Sequence, residues 1–564
     1  MNLFKSRVSL FLLFIFLVSA CTNKNKTEQN MNTKQVPFIW ESANVYFMLI
    51  DRFNNGKLDN DVNFDRTKET GKLRGFMGGD IKGITKKIKD GYFNDLGINA
   101  LWLSPVFEQI HDAVDEGTGN TYGFHGYWTK DWTSLEPNFG TEEDLEELVE
   151  TAHQHGIRVL LDVVINHTGP VTEKDPVWPE SWVRTGPQCT YDGYNTTIEC
   201  TLVKNLPDIK TENNETVELP KQLIEKWKKE GRYEEELKEL NEFFEATGYK
   251  KTPQNYIIKW LVDLIKKYGI DGYRVDTVKH TEESVWDKLY KVAAKIFKDW
   301  KEANPEKVLD DNDFFMVGEV YGYGISGKQI YNFGDKEVNY FENGFNSLIN
   351  FEFKVDATKG YEEIFTKYSN ILNSDLKGKS VLNYVSSHDD GGPFDKNREK
   401  PFESATKLLL SPGASQVYYG DETARSLVIE GTVGDATLRS FMNWEELEQN
   451  AQRNGFAIKD VLAHWQKLGQ FRKEHPSIGA GIHEMISEKP YYFKRTFESG
   501  DFKDVVFVGL DLEKGLKEID VQQIYADGTV LKDYYSNQFM EVKNGKISLE
   551  SEFDIVLLAD YQEE

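Results

Sequence analysis

Short apolar runs alternate with charged, amphipathic stretches along most of this chain. Continuous apolar runs are what a parallel sheet covered on both faces requires, because neither side of its strands meets water. Between most of the runs, apolar residues recur with helical spacing, as in residues 142–155, 254–268, 284–303 and 404–410. Eight runs are present, at residues 45–51, 98–105, 157–167, 270–276, 314–320, 347–353, 381–389 and 416–422.

Eight strands that alternate with helices predict an α/β fold, a (β/α)8 TIM barrel. The alternation is interrupted after the third run, where residues 168–250 are irregular. This region includes a Lys- and Glu-rich segment, residues 219–246, which predicts an exposed helix or helix pair. We interpret the region as a domain inserted after the third strand.

The C-terminal region has a different pattern. From about Met485 the chain shows short alternating strands, such as residues 504–510 and 553–558, with turn signals at Asp527-Gly528 and Asn544-Gly545. This pattern predicts a small all-β domain. The predicted domains are a signal peptide at 1–20, a polar tether at 21–36, a barrel in two parts at 37–167 and 251–484, the inserted domain at 168–250, and a C-terminal β-sandwich at 485–564.

The N-terminus predicts export. Lys5 and Arg7 precede an apolar run, residues 8–18, that is too short to span a bilayer as a helix. Small residues then lead directly to Cys21, which resembles the acylation site of a bacterial lipoprotein signal; the alternative is a plain signal peptide with an incidental cysteine. Acylation would anchor the protein to the membrane without spanning it, facing either the periplasm or the cell exterior.

Net charge and composition narrow the range of partners. The formal charge is -26, with 67 basic and 93 acidic residues. This charge excludes a nucleic-acid-binding protein of the usual basic kind and a protein that binds anionic membranes through a polybasic patch. Aromatic residues make up 13% of the chain, which suits a protein that stacks on neutral sugar rings. Cys189 and Cys200 are the remaining cysteines, and in an exported protein they are a possible disulfide.

Charged residues follow several of the predicted strands. Active sites of such barrels form at the C-terminal ends of the strands, so these side chains should meet on one rim. A single carboxylate after a strand is ordinary, because turns and helix caps favour Asp, but several on one rim need pairing or a function. The converging residues are His167, Arg274, Asp276, Glu319, His388 and Asp389.

Paired carboxylates on one rim suit glycosidic chemistry. One carboxylate attacks or supports the anomeric carbon, while the other protonates the leaving oxygen and later deprotonates water. Retaining enzymes hold the two about 5–5.5 Å apart. Neighbouring strands that end in Asp276 and Glu319 can provide that separation, and Asp389 could stabilise an oxocarbenium-like transition state.

At these positions the chain resembles glycoside hydrolase family 13, the α-amylase family, from about Trp40 to near Ile478. Within the family it is most similar to the periplasmic α-amylases of enteric bacteria, through segments that begin at Phe107, Leu206 and Phe471. The family motifs occur in order: Asp162-Val-Val-Ile-Asn-His167, Gly272-Tyr-Arg-Val-Asp-Thr-Val-Lys-His280, Gly318-Glu-Val320 and Ser387-His-Asp389, supported by Gly78-Gly-Asp-Ile-Lys-Gly83, His125-Gly-Tyr-Trp128 and Leu206-Pro-Asp-Ile209.

The resemblance implies a role for each residue of the catalytic group. Asp276 would be the nucleophile, Glu319 the general acid/base and Asp389 the transition-state stabiliser. Arg274 precedes Asp276 by two residues, so on a strand both face the same side, where the cation would keep Asp276 ionised. A structural ion pair between Arg274 and Asp162 is compatible with that role.

The resemblance also implies substrate contacts and a metal. His167 and His388 would bind sugar hydroxyls and Tyr127 would stack on the sugar, while Lys279 and His280 would lie on the product side. A structural Ca²⁺ would be held by Asn166, Asp208 and the backbone carbonyl of His280, since oxygen donors suit this hard cation. The alternative is that Asn166 and Asp208 only hydrogen-bond across the domain junction.

The expected function is a retaining α-amylase that hydrolyses internal α-1,4 bonds of starch, glycogen or maltodextrins, and we expect a monomer. An α-glucan transglycosylase, such as a cyclodextrin glucanotransferase, would share the same carboxylates. A catalytically inactive glucan-binding protein could use the same fold. The motifs leave open the product length, endo or exo preference, and the balance of hydrolysis and transfer.

Overall fold

The computed structural model describes residues 36–561. The predicted signal peptide, Cys21 and all but the last residue of the predicted tether lie outside the described residues. A search of the described part of the chain finds no helix that is long and apolar enough to cross a membrane.

Eight parallel strands close into a barrel, which confirms the predicted fold class. Each strand pairs in parallel with the next along the chain, and the last pairs with the first. The strands are β1 (Asn44–Met48), β2 (Ala100–Leu103), β3 (Arg158–Val163), β4 (Gly272–Val275), β5 (Phe315–Gly318), β6 (Ser347–Asn350), β7 (Ser380–Tyr384) and β8 (Ala414–Tyr418).

Helices cover the outside of the barrel, and their ends follow local sequence. The hydroxyl of Thr141 accepts a hydrogen bond from the backbone of Asp144, whose side chain accepts one from the backbone of Thr141, so that helix has a complete capping box. The longer helices are Ile81–Lys89, Glu142–Gln154, Lys221–Glu230, Tyr233–Thr247, Pro253–Tyr268, Glu283–Ala303, Tyr361–Leu372, Pro401–Leu409 and Ile458–Glu474.

Residues 168–250 lie between β3 and the helix Pro253–Tyr268. The Lys- and Glu-rich segment forms two helices, as predicted, and a two-stranded sheet pairs Val183–Arg184 with Asp208–Ile209. Cys189 and Cys200 are joined by a disulfide, which closes a short loop within this region.

The C-terminal residues form two packed antiparallel sheets. Ile519 and Ile547 of the smaller sheet pack against Phe507 and Leu558 of the larger one. The larger sheet has the order Ile482–Glu488, Tyr491–Ser499, Phe502–Leu510, Val556–Asp560, Val530–Asp533 and Gln538–Glu541, and the smaller one pairs Gly515–Asp520 with Lys546–Ser551.

Candidate active site

The strand ends bring the sequence-predicted residues together. A cleft of about 600 Å³ opens at the C-terminal rim of the barrel. The strand of the third apolar run ends at Val163; beyond it the Val164 carbonyl accepts a hydrogen bond from Trp132 Nε1 at 2.9 Å, and His167 lines the cleft. The lining includes Tyr127, His167, Asp276, Lys279, His280, Glu319, His388 and Asp389.

Arg274 is the centre of the charged group. On β4 it lies opposite Asp162 of β3, and its Nη1 donates to Asp162 Oδ1 at 2.9 Å and to Asp276 Oδ1 at 2.7 Å. Its Nη2 lies 3.2 Å from Glu319 Oε1. The structural ion pair with Asp162 and the contact with Asp276 therefore coexist, and a single guanidinium touches three carboxylates.

Glu319 has an environment suited to a proton donor. Its Oε2 accepts a hydrogen bond from the backbone N–H of Thr277 at 2.8 Å. Burial raises the pKa of Glu319 well above its usual range; Arg274 opposes this effect, while the negative charges of Asp276 and Asp389 add to it. A carboxyl group with such a raised pKa can carry a proton at neutral pH.

Asp389 lies at the mouth of the cleft, with 41% of its side chain exposed. Its Oδ1 is 3.4 Å from Arg439 Nη2, and its Oδ2 is 3.3 Å from His388 Nε2. Desolvation by the cleft walls raises the pKa of Asp389 despite this exposure, and Arg439 and Arg274 oppose the rise. Arg439 also donates to the His388 carbonyl at 3.0 Å, so it positions both neighbouring residues.

Tyr127 and two histidines form the floor of the cleft. The Tyr127 hydroxyl donates to Asp162 Oδ2 at 2.7 Å, and its ring stacks on His388 with 5.3 Å between centroids. His167 Nε2 lies 3.1 Å from the Tyr127 carbonyl. Burial is the largest cause that lowers the pKa of both histidines, which favours neutral rings that can hydrogen-bond hydroxyl groups.

Lys279 lies on the opposite side of the cleft among tyrosines. Its Nζ donates to the Tyr321 carbonyl at 3.2 Å and to the Tyr331 hydroxyl at 3.3 Å. Tyr191 reaches the same wall from the loop that the disulfide closes, and its ring is 5.8 Å from Lys279 Nζ. His280 is buried, and its Nδ1 lies 3.0 Å from the Thr197 carbonyl in the same loop.

Oxygen atoms converge beside the cleft where a metal was expected. The oxygen end of the Asn166 amide faces the His280 carbonyl at 2.8 Å and Asp208 Oδ1 at 3.3 Å. Its Nδ2 lies 3.3 Å from His167 Nδ1. Such facing oxygens are stable around a shared cation, or with the amide turned so that its N–H groups donate to both.

Asp208 is a buried carboxylate that a nearby cation would stabilise in its charged form. Burial raises the pKa of Asp208 to about 9, although Arg184 Nε lies 2.7 Å from its Oδ2. In the described residues, no three His, Cys, Asp or Glu side chains form a metal-binding group. A metal here would depend on amide and carbonyl oxygens, and the donor set fits Ca²⁺.

Several cleft residues were not predicted from the sequence. Arg439 and Asp435 form an ion pair of 2.6 Å, and Arg74 contacts the same Asp435 at 3.1 Å. Arg74 lies in the loop after β1, and Asp435 and Arg439 lie in a short 3-10 helix, Gly434–Arg439, well beyond the end of β8. His125, which belongs to a supporting motif, also lines the cleft.

Comparisons with known proteins agree with the geometry. The family described as Alpha amylase, catalytic domain, matches residues 47–481. The periplasmic alpha-amylase of Escherichia coli is 35% identical, over 83% of this chain and 72% of that protein. A cyclomaltodextrin glucanotransferase of Geobacillus stearothermophilus is 28% identical, over 88% of this chain and 63% of that protein.

Solved structures share the fold. An alpha-amylase from Anoxybacillus superposes with a TM-score of 0.63 at 23% identity, over 94% of this chain and 100% of that chain. The similarity at this identity concerns the fold, whereas the match to the family covers the stretch of sequence in which the motifs lie. The chain therefore belongs to the α-amylase family, glycoside hydrolase family 13.

Proposed function

We propose that this protein is a retaining α-amylase that hydrolyses internal α-1,4-glucosidic bonds of starch, glycogen or maltodextrins. The observation that carries the proposal is the shared guanidinium of Arg274, which contacts Asp276 at 2.7 Å and Glu319 at 3.2 Å. Carboxyl groups within reach of one guanidinium suit the short separation of retaining enzymes, about 5–5.5 Å, better than the wider one of inverting enzymes.

Asp276 attacks the anomeric carbon while Glu319 donates its proton to the leaving glycosidic oxygen. Glu319 then removes a proton from water, and that water releases the glycosyl group from Asp276. Asp389 faces the developing positive charge of the sugar ring and stabilises it. Tyr127 stacks on this sugar, and His167 and His388 hydrogen-bond its hydroxyls.

Lys279 and His280 line the product side of the cleft. The ring of Tyr321, which is 62% exposed, lies 5.2 Å from Lys279 Nζ and offers a face for a sugar beyond the cleavage point. Tyr191 offers a second face on the same side. These contacts would hold the leaving part of the chain.

Asn166, Asp208 and the His280 carbonyl would hold a Ca²⁺ ion. Bound there, the ion would supply positive charge that holds the loop after β3 against the loop after β4. The Asn166 amide would then keep its N–H group directed at His167 Nδ1, which leaves the ring proton on His167 Nε2, where the Tyr127 carbonyl and a sugar hydroxyl can share it. The catalytic carboxylates perform the proton and glycosyl transfers.

The protein would act outside the cytoplasm. The signal-like N-terminus and the periplasmic name of the Escherichia coli relative both support export. Cys21 would carry the lipid anchor, and α-glucan chains would be the partner of the cleft. We expect a monomer.

A transglycosylase is the second candidate, because glucanotransferases are among the relatives and tyrosines line the acceptor side of the cleft. Incubation of the mature protein with maltoheptaose and calcium, followed by chromatography and anomeric NMR, separates the two. Hydrolysis with retention gives shorter linear products that appear first as the α-anomer, and Asp276→Asn gives none. Cyclic or longer products would assign a transglycosylase, and binding without turnover would assign a glucan-binding protein.

A further inference from the structure

A second cavity of about 570 Å³ lies behind one wall of the catalytic cleft. Ile110, Trp128 and Leu206 form a small apolar cluster that makes this wall. Trp128 and Leu206 line the cleft, whereas Ile110 lines the second cavity. The wall is tightly packed, because a Cβ on Gly169 would lie 2.5 Å from both Ile110 and the Trp128 carbonyl.

Two carboxylates of the second cavity, Glu108 and Asp131, form ion pairs with a lysine. Glu108 and Asp131 lie opposite each other on paired strands, where like charges repel. Lys226, from the helix Lys221–Glu230, lies 2.5 Å from both carboxylates. Burial would raise the pKa of Glu108, but hydrogen bonds from His111 and Lys226 outweigh it and the pKa is lowered.

A second ion pair lies in the same cavity. Lys130 Nζ donates to Asp175 Oδ1 at 2.6 Å, and Asp175 also accepts hydrogen bonds from the backbone of His111 and Asp112. The lining holds four lysines and five carboxylates, so their charges nearly cancel. A strongly charged ligand has little to gain here, whereas a neutral polar ligand finds donors and acceptors side by side.

The cavity also offers aromatic and unsatisfied polar groups. His111 stacks on Phe64 with 3.7 Å between ring centroids, and the buried Trp178 contributes to the lining. Thr129 Oγ1 and Gln222 Nε2 are buried without a hydrogen-bond partner in the described structure. Aromatic side chains beside paired donors and acceptors suit a sugar, whose C–H groups pack against the rings while its hydroxyls hydrogen-bond.

We propose that this cavity is a second, non-catalytic saccharide site that binds an α-glucan segment. The volume lies within the range of small-molecule sites, about 300–1,000 Å³. The saccharide class follows from the cavity itself, whereas the choice of an α-glucan rests on the proposed function of the cleft.

Binding to the full mature chain carrying Glu319→Gln tests the proposal, because this variant should bind glucans without cleaving them. Titration calorimetry with maltotetraose is expected to show two sites per chain. Val177 lines the cavity and is 46% exposed, so Val177→Arg blocks the cavity without disturbing the core. In that background one site should remain, while Val530→Arg, an exposed change in the C-terminal sheet, should retain both.

Tyr127→Ala in the Glu319→Gln background should remove the cleft site and leave the site that Val177→Arg removes. Gln222→Ala should weaken only the second site, by at least about fivefold, a moderate loss for one hydrogen bond. If Val177→Arg and Gln222→Ala both bind like the Val530→Arg control, the second site does not exist.

The two proposals fail in different ways. Loss of all binding on Tyr127→Ala would overturn the second site and leave the cleft assignment. Retention of only the Val177-sensitive site in the parent variant would overturn the cleft assignment. Cellotetraose, with β-linkages, should bind neither site; its binding at the Val177-sensitive site in place of maltotetraose would overturn the α-glucan assignment.

Discussion

Both the cleft and the second cavity contain buried carboxylates, but their surroundings shift the pKa values in opposite directions. In the cleft, burial raises the pKa of Glu319 with one guanidinium shared among several carboxylates. In the second cavity, a hydrogen bond from His111 and contacts with Lys226 outweigh burial at Glu108, and contacts with Lys226 outweigh it at Asp131, so both pKa values are lowered. A buried carboxyl group whose charge is only partly compensated has a raised pKa and can transfer a proton. A fully paired carboxylate stays ionised and has a structural role.

The largest expected effect is on catalysis, from Glu319→Gln. Removal of the proton donor should lower kcat on maltoheptaose by about 10²–10⁴-fold, the usual contribution of a general acid. For the wild type, kcat/KM should fall as pH rises through the raised pKa of Glu319, because the first step needs its protonated form. With a substrate whose fluoride leaving group needs no proton, kcat/KM of the variant should no longer fall at high pH.

The matched change in the second cavity is Glu108→Gln. We expect its kcat on a short maltooligosaccharide to stay within about twofold of the wild type, because Glu108 holds Lys226 and His111 rather than a reacting atom. A loss of kcat as large as that of Glu319→Gln would remove the distinction between the two regions.

Calcium removal should destabilise the side of the cleft formed by Asn166 and His280. At a calcium concentration about 1,000 times its Kd, binding adds about 4 kcal/mol to the free energy of unfolding. Thermal unfolding with chelator and with added calcium should therefore give clearly different Tm values. An Asn166→Ala variant should lose this difference in Tm. If the wild-type protein shows no difference in Tm, the site holds no metal and the Asn166 amide is turned so that its N–H groups donate to the facing oxygens.

Lys226→Met should affect stability rather than catalysis. Loss of one partner of a buried ion pair costs about 3–5 kcal/mol, and we expect about 2 kcal/mol here because Lys226 is partly exposed and Arg232 also reaches Asp131. Denaturant unfolding measures the loss. Lys229→Met, on the exposed side of the same helix, is the control and should change stability by less than about 0.5 kcal/mol.

Arg439→Lys should have the smallest effect on the cleft. The lysine keeps the charge but cannot contact Asp389, Asp435 and the His388 carbonyl together. We expect kcat/KM to fall about tenfold, or about 1.4 kcal/mol, from a misplaced Asp389. An unchanged kcat/KM would show that Asp389 is positioned without Arg439.

The barrel and its polar rim could be predicted because each strand is a local pattern that ends in a chemical signal. Arg274, Asp276 and Glu319 stand directly at the ends of apolar runs, so the sequence alone brings them together. The runs at 157–167 and 381–389 were predicted too long, because their strands end at Val163 and Tyr384 and the residues beyond form the rim of the cleft. Likewise, the strand predicted at 553–558 begins only at Val556.

The second cavity could not be predicted in this way. Its walls come from five separate segments of the chain, around Phe64, His111, Lys130, Asp175 and Lys226. No local period relates these segments, and their residues look like ordinary surface charges until the fold pairs them. Arg74 and Arg439 could not be predicted for the same reason.

The central claim is that Asp276 forms a covalent bond with the sugar while Glu319 moves the proton. The most direct test is to incubate Glu319→Gln with α-maltotriosyl fluoride and to measure intact mass and digested peptides by mass spectrometry. This variant can form the glycosyl-enzyme but breaks it down slowly, because water lacks its base. We predict one added maltotriosyl group on Asp276; a label on Asp389, or fluoride release with inverted products and no label, would contradict the account.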